Sequence, residues 1–290
     1  MAKELSFAEQ LCYITTRIVT QDANKKTYIA TGFFMAFQIE DKDETIPVLV
    51  TNRHVAENAE TMTIWLSEKD KEGDPVDKSM IKVDISIKKG FIYHPNNAVD
   101  LAFYYIAPTI TAVEEAIKKS VYYKTLPLEM VITDEKALAL DAIEDVIMVG
   151  YPRGLWDNVN NRPIFRSGIT ATDPKVDYCD QREFMIDSAC IQGSSGSPVL
   201  LFYKGVFCDK FGKNTCYDSL KVTLLGVQHA IPLGQTEGKI IKAETPTAEN
   251  EDIPVIGLPI NLGYIVKAQC LFDFIPLIEK ECKVKLKHPQ

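Results

Sequence analysis

The chain has 290 residues, 46% of them hydrophobic and 25% charged, with a net charge of −8 and a pI of about 5.2. That length allows one large domain or two modest ones around a sizeable core, and the acidic balance argues against nucleic acid or an anionic membrane as a partner. The acidic and polar start MAKELSFAEQLCYITTRIVT lacks the apolar core of a secretory leader, and no run reaches the ~18 apolar residues of a membrane span. A cytoplasmic location is the expectation.

In chain order, Ser6 followed by Glu9 ahead of an apolar run is a capping-box signature and predicts a short opening helix. Segments rich in β-branched and aromatic residues follow at 27–39, 46–51, 61–67, 79–87 and 100–106, separated by turn-prone stretches. Residues 110–127 read as a partly helical connector. A second series of strand-like segments covers 128–133, 144–152, 164–170, 183–189, 198–203, 219–228 and 262–268. From Ala268 to Lys280 apolar residues recur at helical spacing, with Pro276 placed to kink or split that helix. Two sets of about six short strands predict an all-β fold of two antiparallel six-stranded β-barrels with a C-terminal helix. The halves are expected at 1–109 and 128–290, joined by 110–127. Polar loops at 67–78 and 235–252 are candidate rim loops.

Seven scattered cysteines, with no Cys-x-x-Cys among them, fit reduced thiols better than a disulfide framework. Cys208 and Cys216 bracket a short loop, CDKFGKNTC, but with only four histidines in the chain neither a metal site nor any other cofactor is expected.

The sharpest motif is Gly193-Ser194-Ser195-Gly196-Ser197-Pro198. A hydroxyl nucleophile needs a tight, glycine-flanked turn that exposes its oxygen and lets backbone N–H groups converge on an oxyanion. Standing alone, the motif also reads as an ordinary Gly/Ser turn. His54 sits where the apolar strand VLVT ends, a place in which a lone histidine is more often structural. Asp100 precedes Leu-Ala-Phe at the mouth of a hydrophobic strand, where a partly buried carboxylate needs a hydrogen-bond partner. The imidazole of His54 is the natural candidate.

Together, in the order His54, Asp100, Ser195, these residues resemble the trypsin/chymotrypsin superfamily of serine proteases, closest to the HtrA/Deg-type and related bacterial trypsin-like peptidases. Thr31-Gly32-Phe33 resembles their Ser/Thr-Gly-Phe strand, Val149-Gly150-Tyr151-Pro152 their Gly-x-Pro turn, and Cys190-Ile191-Gln192 the approach to the nucleophile. The resemblance covers about residues 10–270, and no PDZ-like segment is expected after it. Three departures stand out. Ser194 replaces the aspartate that secreted members pair to a cut N-terminus, Val55 replaces a cysteine, and Ala189 replaces the aspartate of Arg/Lys-cleaving members.

The resemblance implies one protease domain and an intracellular serine endopeptidase. Ser195 would be the nucleophile, His54 the general base, Asp100 the residue that orients it, and the N–H groups of Gly193 and Ser195 the oxyanion hole. A substrate pocket is expected from Ala189, Cys190, Ile191 and Gln192 on one side and Leu225, Gly226, Val227 and Gln228 on the other, favouring a small or apolar residue before the scissile bond. His229 ends that second wall and is read as pocket-facing or structural. The expected partners are a protein or peptide substrate and an activating protein. The competing reading is a latent or inactive protease fold kept as a binding module; hydrolysis of a non-peptide ester is a third.

Overall fold

The computed structural model describes residues 4–87, 90–203, 206–208, 211, 214–216, 221–237, 255–259 and 261–289. Helix α1 (Phe7–Ile14) starts with the capping box that the sequence predicts. The Glu9 N–H donates to Ser6 Oγ at 3.3 Å, and the Glu9 carboxylate accepts the Ser6 N–H at 2.8 Å.

The first half is a sheet built from β1 (Thr15–Gln21), β2 (Thr27–Gln38), β3 (Thr45–Thr51), β4 (Thr61–Lys69), β5 (Ile81–Ile85), β6 (Phe91–Tyr93) and β7 (Ala102–Tyr105), with α2 (Arg53–Glu57) between β3 and β4. Its order is β5-β4-β1-β2-β3-β7-β6. Strand β2 reads as a continuous apolar run because both of its faces are covered. Phe33, Met35 and Phe37 join a core shared with the second half, whereas Ala30 and Phe34 join the core inside the first sheet.

After β7 come α3 (Ala107–Ile117), β8 (Ser120–Tyr122) and β9 (Leu126–Pro127), which pair onto β4 and β2, so the expected connector is part of the first sheet. This sheet is a half-barrel, not the closed six-stranded barrel expected. Its edge strands β5 and β6 do not pair among the described residues. Ile110 of α3 packs in the cluster of Ile81, Ile85 and Tyr104, so a helix fills space that strand pairing would otherwise close.

The second half begins with a turn of 3₁₀ helix (Leu128–Met130) where 128–133 predicts a strand. Leu128, Val131 and Ile132 are buried as a core connection with one bridge, from Val131 to Leu224. Then follow α4 (Asp134–Ala137), β10 (Asp145–Gly150), β11 (Ile164–Thr170), β12 (Glu183–Asp187), β13 (Pro198–Tyr203), β14 (Val206–Cys208), β15 (Asn214–Cys216), β16 (Lys221–Ala230), β17 (Leu233–Glu237), β18 (Val255–Pro259) and β19 (Leu262–Lys267). Six of these close a barrel in the order β10-β11-β12-β19-β16-β13. Between Gln228 and Ala230 the β16–β19 register shifts, leaving His229 as the extra residue of a bulge.

The tail splits as Pro276 predicts. A 3₁₀ segment (Ala268–Phe274) leads into α5 (Ile275–Cys282), with the proline in its first turn, where a missing N–H costs nothing. Of the expected rim loops, the first is shorter than predicted because β4 runs on to Lys69. In the second, 238–252 lies outside the described residues, as do the side chains of Cys208 and Cys216. Cys12, Cys179, Cys190, Cys270 and Cys282 carry free thiols.

Candidate active site

His54 lies in α2, the short helix that follows β3, and Asp100 in the turn before β7, the strand paired to β3. Pairing of those two strands brings the residues together. The Asp100 carboxylate accepts from both the ring and the main chain of His54: Nδ1 stands 2.6 Å from Oδ2, and the backbone N–H donates to Oδ1 at 3.0 Å. The Asn52 side chain donates to the Asp100 carbonyl at 2.7 Å and anchors the turn. With Nδ1 engaged, Nε2 of His54 is the nitrogen left to take a proton.

The Ser195 turn belongs to the other half. Gly193 and Gly196 have φ of +90° and +85°, a backbone region that side chains rarely enter. A Cβ on Gly193 would stand 2.6 Å from the Tyr151 carbonyl oxygen, and one on Gly196 would collide with the Thr31 carbonyl. Thr31 is the staple between the halves. Its N–H donates to the Ser195 carbonyl (2.8 Å) and its Oγ1 to the Gly193 carbonyl (3.1 Å), while Thr51 Oγ1 holds the Thr31 carbonyl (2.9 Å). From the second half, Gly196 N–H donates to the Gln228 carbonyl at 2.8 Å and Arg153 N–H to that of Gln192 at 2.6 Å. Among the described residues, the N–H groups of Gly193 and Ser195 have no acceptor.

Ser195 and His54 line one cavity of about 320 Å³, with Gln192 and Gly193 at its floor, Tyr28, Ile29 and Ala30 on one wall, and Val55, Asn58 and Ala59 on another. No hydrogen bond joins the two residues. Ser195 Oγ instead donates to the main-chain carbonyl of His229 at 3.4 Å. The ring of His229 turns to Asp100, its Nδ1 3.5 Å from Oδ2, and to Glu183, whose Oε1 lies 3.1 Å from Nε2. That Glu183 contact is an ion pair off the N–H axis, since Nε2 has no aligned hydrogen bond.

Burial alone would raise the Asp100 carboxyl, but the His229 ring beside it and the hydrogen bonds and charge of His54 outweigh it and hold the group well below the usual carboxylate range. His229 shows the mirror case. Burial lowers it, yet the two carboxylates push it up to about 9, so it is cationic at neutral pH.

Of the expected substrate walls, Gln192 lines the cavity; the other seven residues do not. Cys190, Leu225 and Val227 are 3% exposed or less and belong to the barrel core, and Gln228 is equally buried, its side chain turned back to the Ala230 carbonyl. Strand β16 is part of the barrel, and apolar side chains on it are drawn inward. Ala189 is exposed, and its carbonyl accepts from Arg166 of β11 at 2.8 Å. The same Nη1 donates to Ser194 Oγ at 2.6 Å, so Arg166 braces the turn at the position where the resemblance leads one to expect an aspartate. Burial pushes the Cys190 thiol up to about 11, which keeps it protonated and unreactive beside the turn. Among the described residues, no three His, Cys, Asp or Glu side chains converge to hold a metal, and no helix is long and apolar enough to cross a membrane.

Sequence reasoning did not find Glu183, Arg166 or the stapling role of Thr31. Thr31 carried a signal, the Thr-Gly-Phe motif. Nothing in the local sequence marks Glu183 or Arg166, since both act across strands.

Several solved structures are similar. The HtrA-type protease AlgW with tripeptide is 14% identical with a TM-score of 0.47, covering 97% of this chain and 65% of that one, so this chain spans less than two thirds of AlgW. Catalytically active tobacco etch virus protease complexed with product is 10% identical (TM-score 0.47; 99% and 86% covered), and the thermostable serine protease AL20 from an extremophilic microorganism 11% identical (TM-score 0.44; 91% and 96%). No curated protein matches by sequence. Residues 30–207, more than half of the chain, match the model of the trypsin-like peptidase domain, a span that contains His54, Asp100 and Ser195. The chain belongs to the trypsin-like peptidase family.

Proposed function

We propose that the protein is a serine endopeptidase in which Ser195 attacks the peptide carbonyl, His54 removes and returns the proton, and Asp100 fixes the imidazole tautomer and stabilises the imidazolium. The observation that carries the reading is the doubly bonded His54–Asp100 pair facing the cavity that Ser195 shares. The free N–H groups of Gly193 and Ser195 support an oxyanion site there. Free thiols favour a reducing compartment, hence an intracellular enzyme. The preference before the scissile bond is for a small or apolar residue, since no acidic side chain stands at Ala189 to meet a basic one.

A second reading is favoured by one contact. Ser195 Oγ rests on the His229 carbonyl and not on His54, which fits a resting state that a substrate or activating partner must reorganise. A fluorophosphonate probe tests both. Labelling of wild type but not of Ser195→Ala supports the enzyme; labelling that appears only with a peptide or protein partner supports latency; none under any condition removes the protease assignment. A peptide-library profile dominated by Arg or Lys before the cut would overturn the specificity.

A further inference from the structure

Three features of the site lie outside the triad chemistry: the unpaired part of the Arg166 guanidinium, the apolar wall of the cavity, and the arrangement of His229. Only the last brings several chemically matched groups together. The imidazole of His229 stands between two carboxylates that come from different halves of the molecule, Asp100 at 3.5 Å and Glu183 at 3.1 Å. Its side chain is 14% exposed and that of Glu183 15%, so the pair is shielded from solvent.

We propose that His229, clamped between Asp100 and Glu183, is a positioning residue that holds the Asp100 carboxylate in place under His54, with Glu183 as its outer anchor. This rests on the reading of the triad given above.

Geometry carries the case. Along a regular strand, side chains alternate between faces; the bulge at Gln228/Ala230 breaks the alternation at His229 and re-aims one side chain. His229 turns towards a carboxylate of the other half, and its carbonyl receives the Ser195 hydroxyl at 3.4 Å. One residue thus touches Asp100 through its ring and Ser195 through its main chain. Glu183 projects from β12, which pairs with β19, and β19 pairs with β16, so the anchor reaches His229 across the barrel face. Among the described residues, the other titratable neighbours are Tyr264 on β19, with its ring 6.3 Å away, and His54 on the far side of Asp100.

Charge follows from the placement. Two carboxylates keep the ring protonated at neutral pH, and a cation there has two effects on the triad. It holds Asp100 ionised and fixed, and it opposes a second positive charge on His54. Removing it therefore loosens Asp100 and, with it, the orientation of the His54 ring.

The test combines two measurements on the full chain: imidazole ¹⁵N–¹H NMR titration and the pH dependence of fluorophosphonate labelling. In wild type the His229 ring is expected to titrate near pH 9, and in Glu183→Gln about one unit or more lower. His229→Ser is expected to keep its fold by circular dichroism, move or broaden the resonance of the His54 Nδ1 proton shared with Asp100, and slow labelling about tenfold. Glu183→Asp should restore most of what Glu183→Gln loses. An ordinary His229 titration near 6.5 in wild type, or an unchanged His54 Nδ1 proton resonance in a folded His229→Ser, overturns the proposal. The NMR arm decides it even if no labelling occurs. Absence of labelling together with a changed His54 Nδ1 proton resonance would defeat the protease reading and leave the clamp standing.

Discussion

The two halves hold their contributions to the site by different means. In the half-barrel, His54 and Asp100 are locked by direct contacts, a 2.6 Å ring contact and a 3.0 Å main-chain hydrogen bond, on elements that follow or precede two paired strands. In the closed barrel, Ser195 sits on a turn shaped by two glycines at positive φ and held by the Gly196–Gln228 and Arg153–Gln192 backbone hydrogen bonds, by the Arg166 side chain on Ser194 Oγ, and by the Thr31 staple from the other half. One side is preorganised by side-chain hydrogen bonds and the other by a backbone shape that few residues can adopt. The difference teaches where each half is vulnerable. Substitution of His54 or Asp100 should damage chemistry and spare the fold, whereas substitution of the turn glycines or of their Thr31 staple should damage the shape of the turn itself.

Perturbing each half tests this contrast. The largest effect is expected for Ser195→Ala, a loss of peptidase activity on the order of 10⁶-fold with an unchanged melting curve, read by a fluorogenic peptide assay and circular dichroism. Turnover at the wild-type rate would remove Ser195 from the mechanism. On the half-barrel side, Asp100→Asn should lower kcat by about 10⁴-fold with the overall fold intact, because the amide favours the wrong imidazole tautomer.

Gly193→Ala should cost about 10²- to 10³-fold in kcat and, unlike Asp100→Asn, also about 1–3 kcal/mol of stability, since it forces a side chain into positive φ beside the Tyr151 carbonyl. If it matched wild type in urea denaturation, the contrast between the halves would fail. A smaller effect is expected for Thr31→Val, about 1–3 kcal/mol, because the Tyr151 N–H that Thr31 Oγ1 accepts is left buried without a partner.

The pH dependence of stability sharpens the comparison, because Asp100 and His229 carry opposite shifts across the junction. The His229 ring is raised above its ordinary value of ~6.5, so its contribution is fully present below that pH and is lost as the pH rises through about 9. Asp100 is depressed, so its contribution is present above about pH 4 and is lost as the pH falls. Urea midpoints measured from pH 6 to 9.5 should therefore decline, by at most about 3 kcal/mol in free energy, and the decline should be reduced in Glu183→Gln. A wild-type curve that stays flat across that range would show that His229 does not gain its charge from the two carboxylates.

Much of the fold was legible because it rests on local signals. Ser6 and Glu9 marked the first helix, Pro276 the split in the last, and β-branched runs most of the strands. Strand β1 (TTRIVTQ) lies outside the predicted strands, between a helix and a polar turn, and the apolar run 128–133 has the composition of a strand although it is a buried connection. Closure of one barrel but not the other has no local signature, because it depends on whether edge strands meet or a helix such as α3 fills the space between them.

For the site, the sequence by itself determined the chemical types and the local geometry: a histidine after a strand, an aspartate before one, and a serine between glycines that alone tolerate φ near +90°. Only the tertiary structure decided which of the remaining residues stand beside them. The expected pocket wall Leu225–Gln228 is drawn into the barrel core, while His229, one residue further on, is turned by a bulge onto Asp100 and Glu183. The physical reason is range. Backbone conformation and short hydrogen bonds are written within a few residues, but burial, bulges and shared charges arise between strands far apart in the chain, where no single segment carries the message.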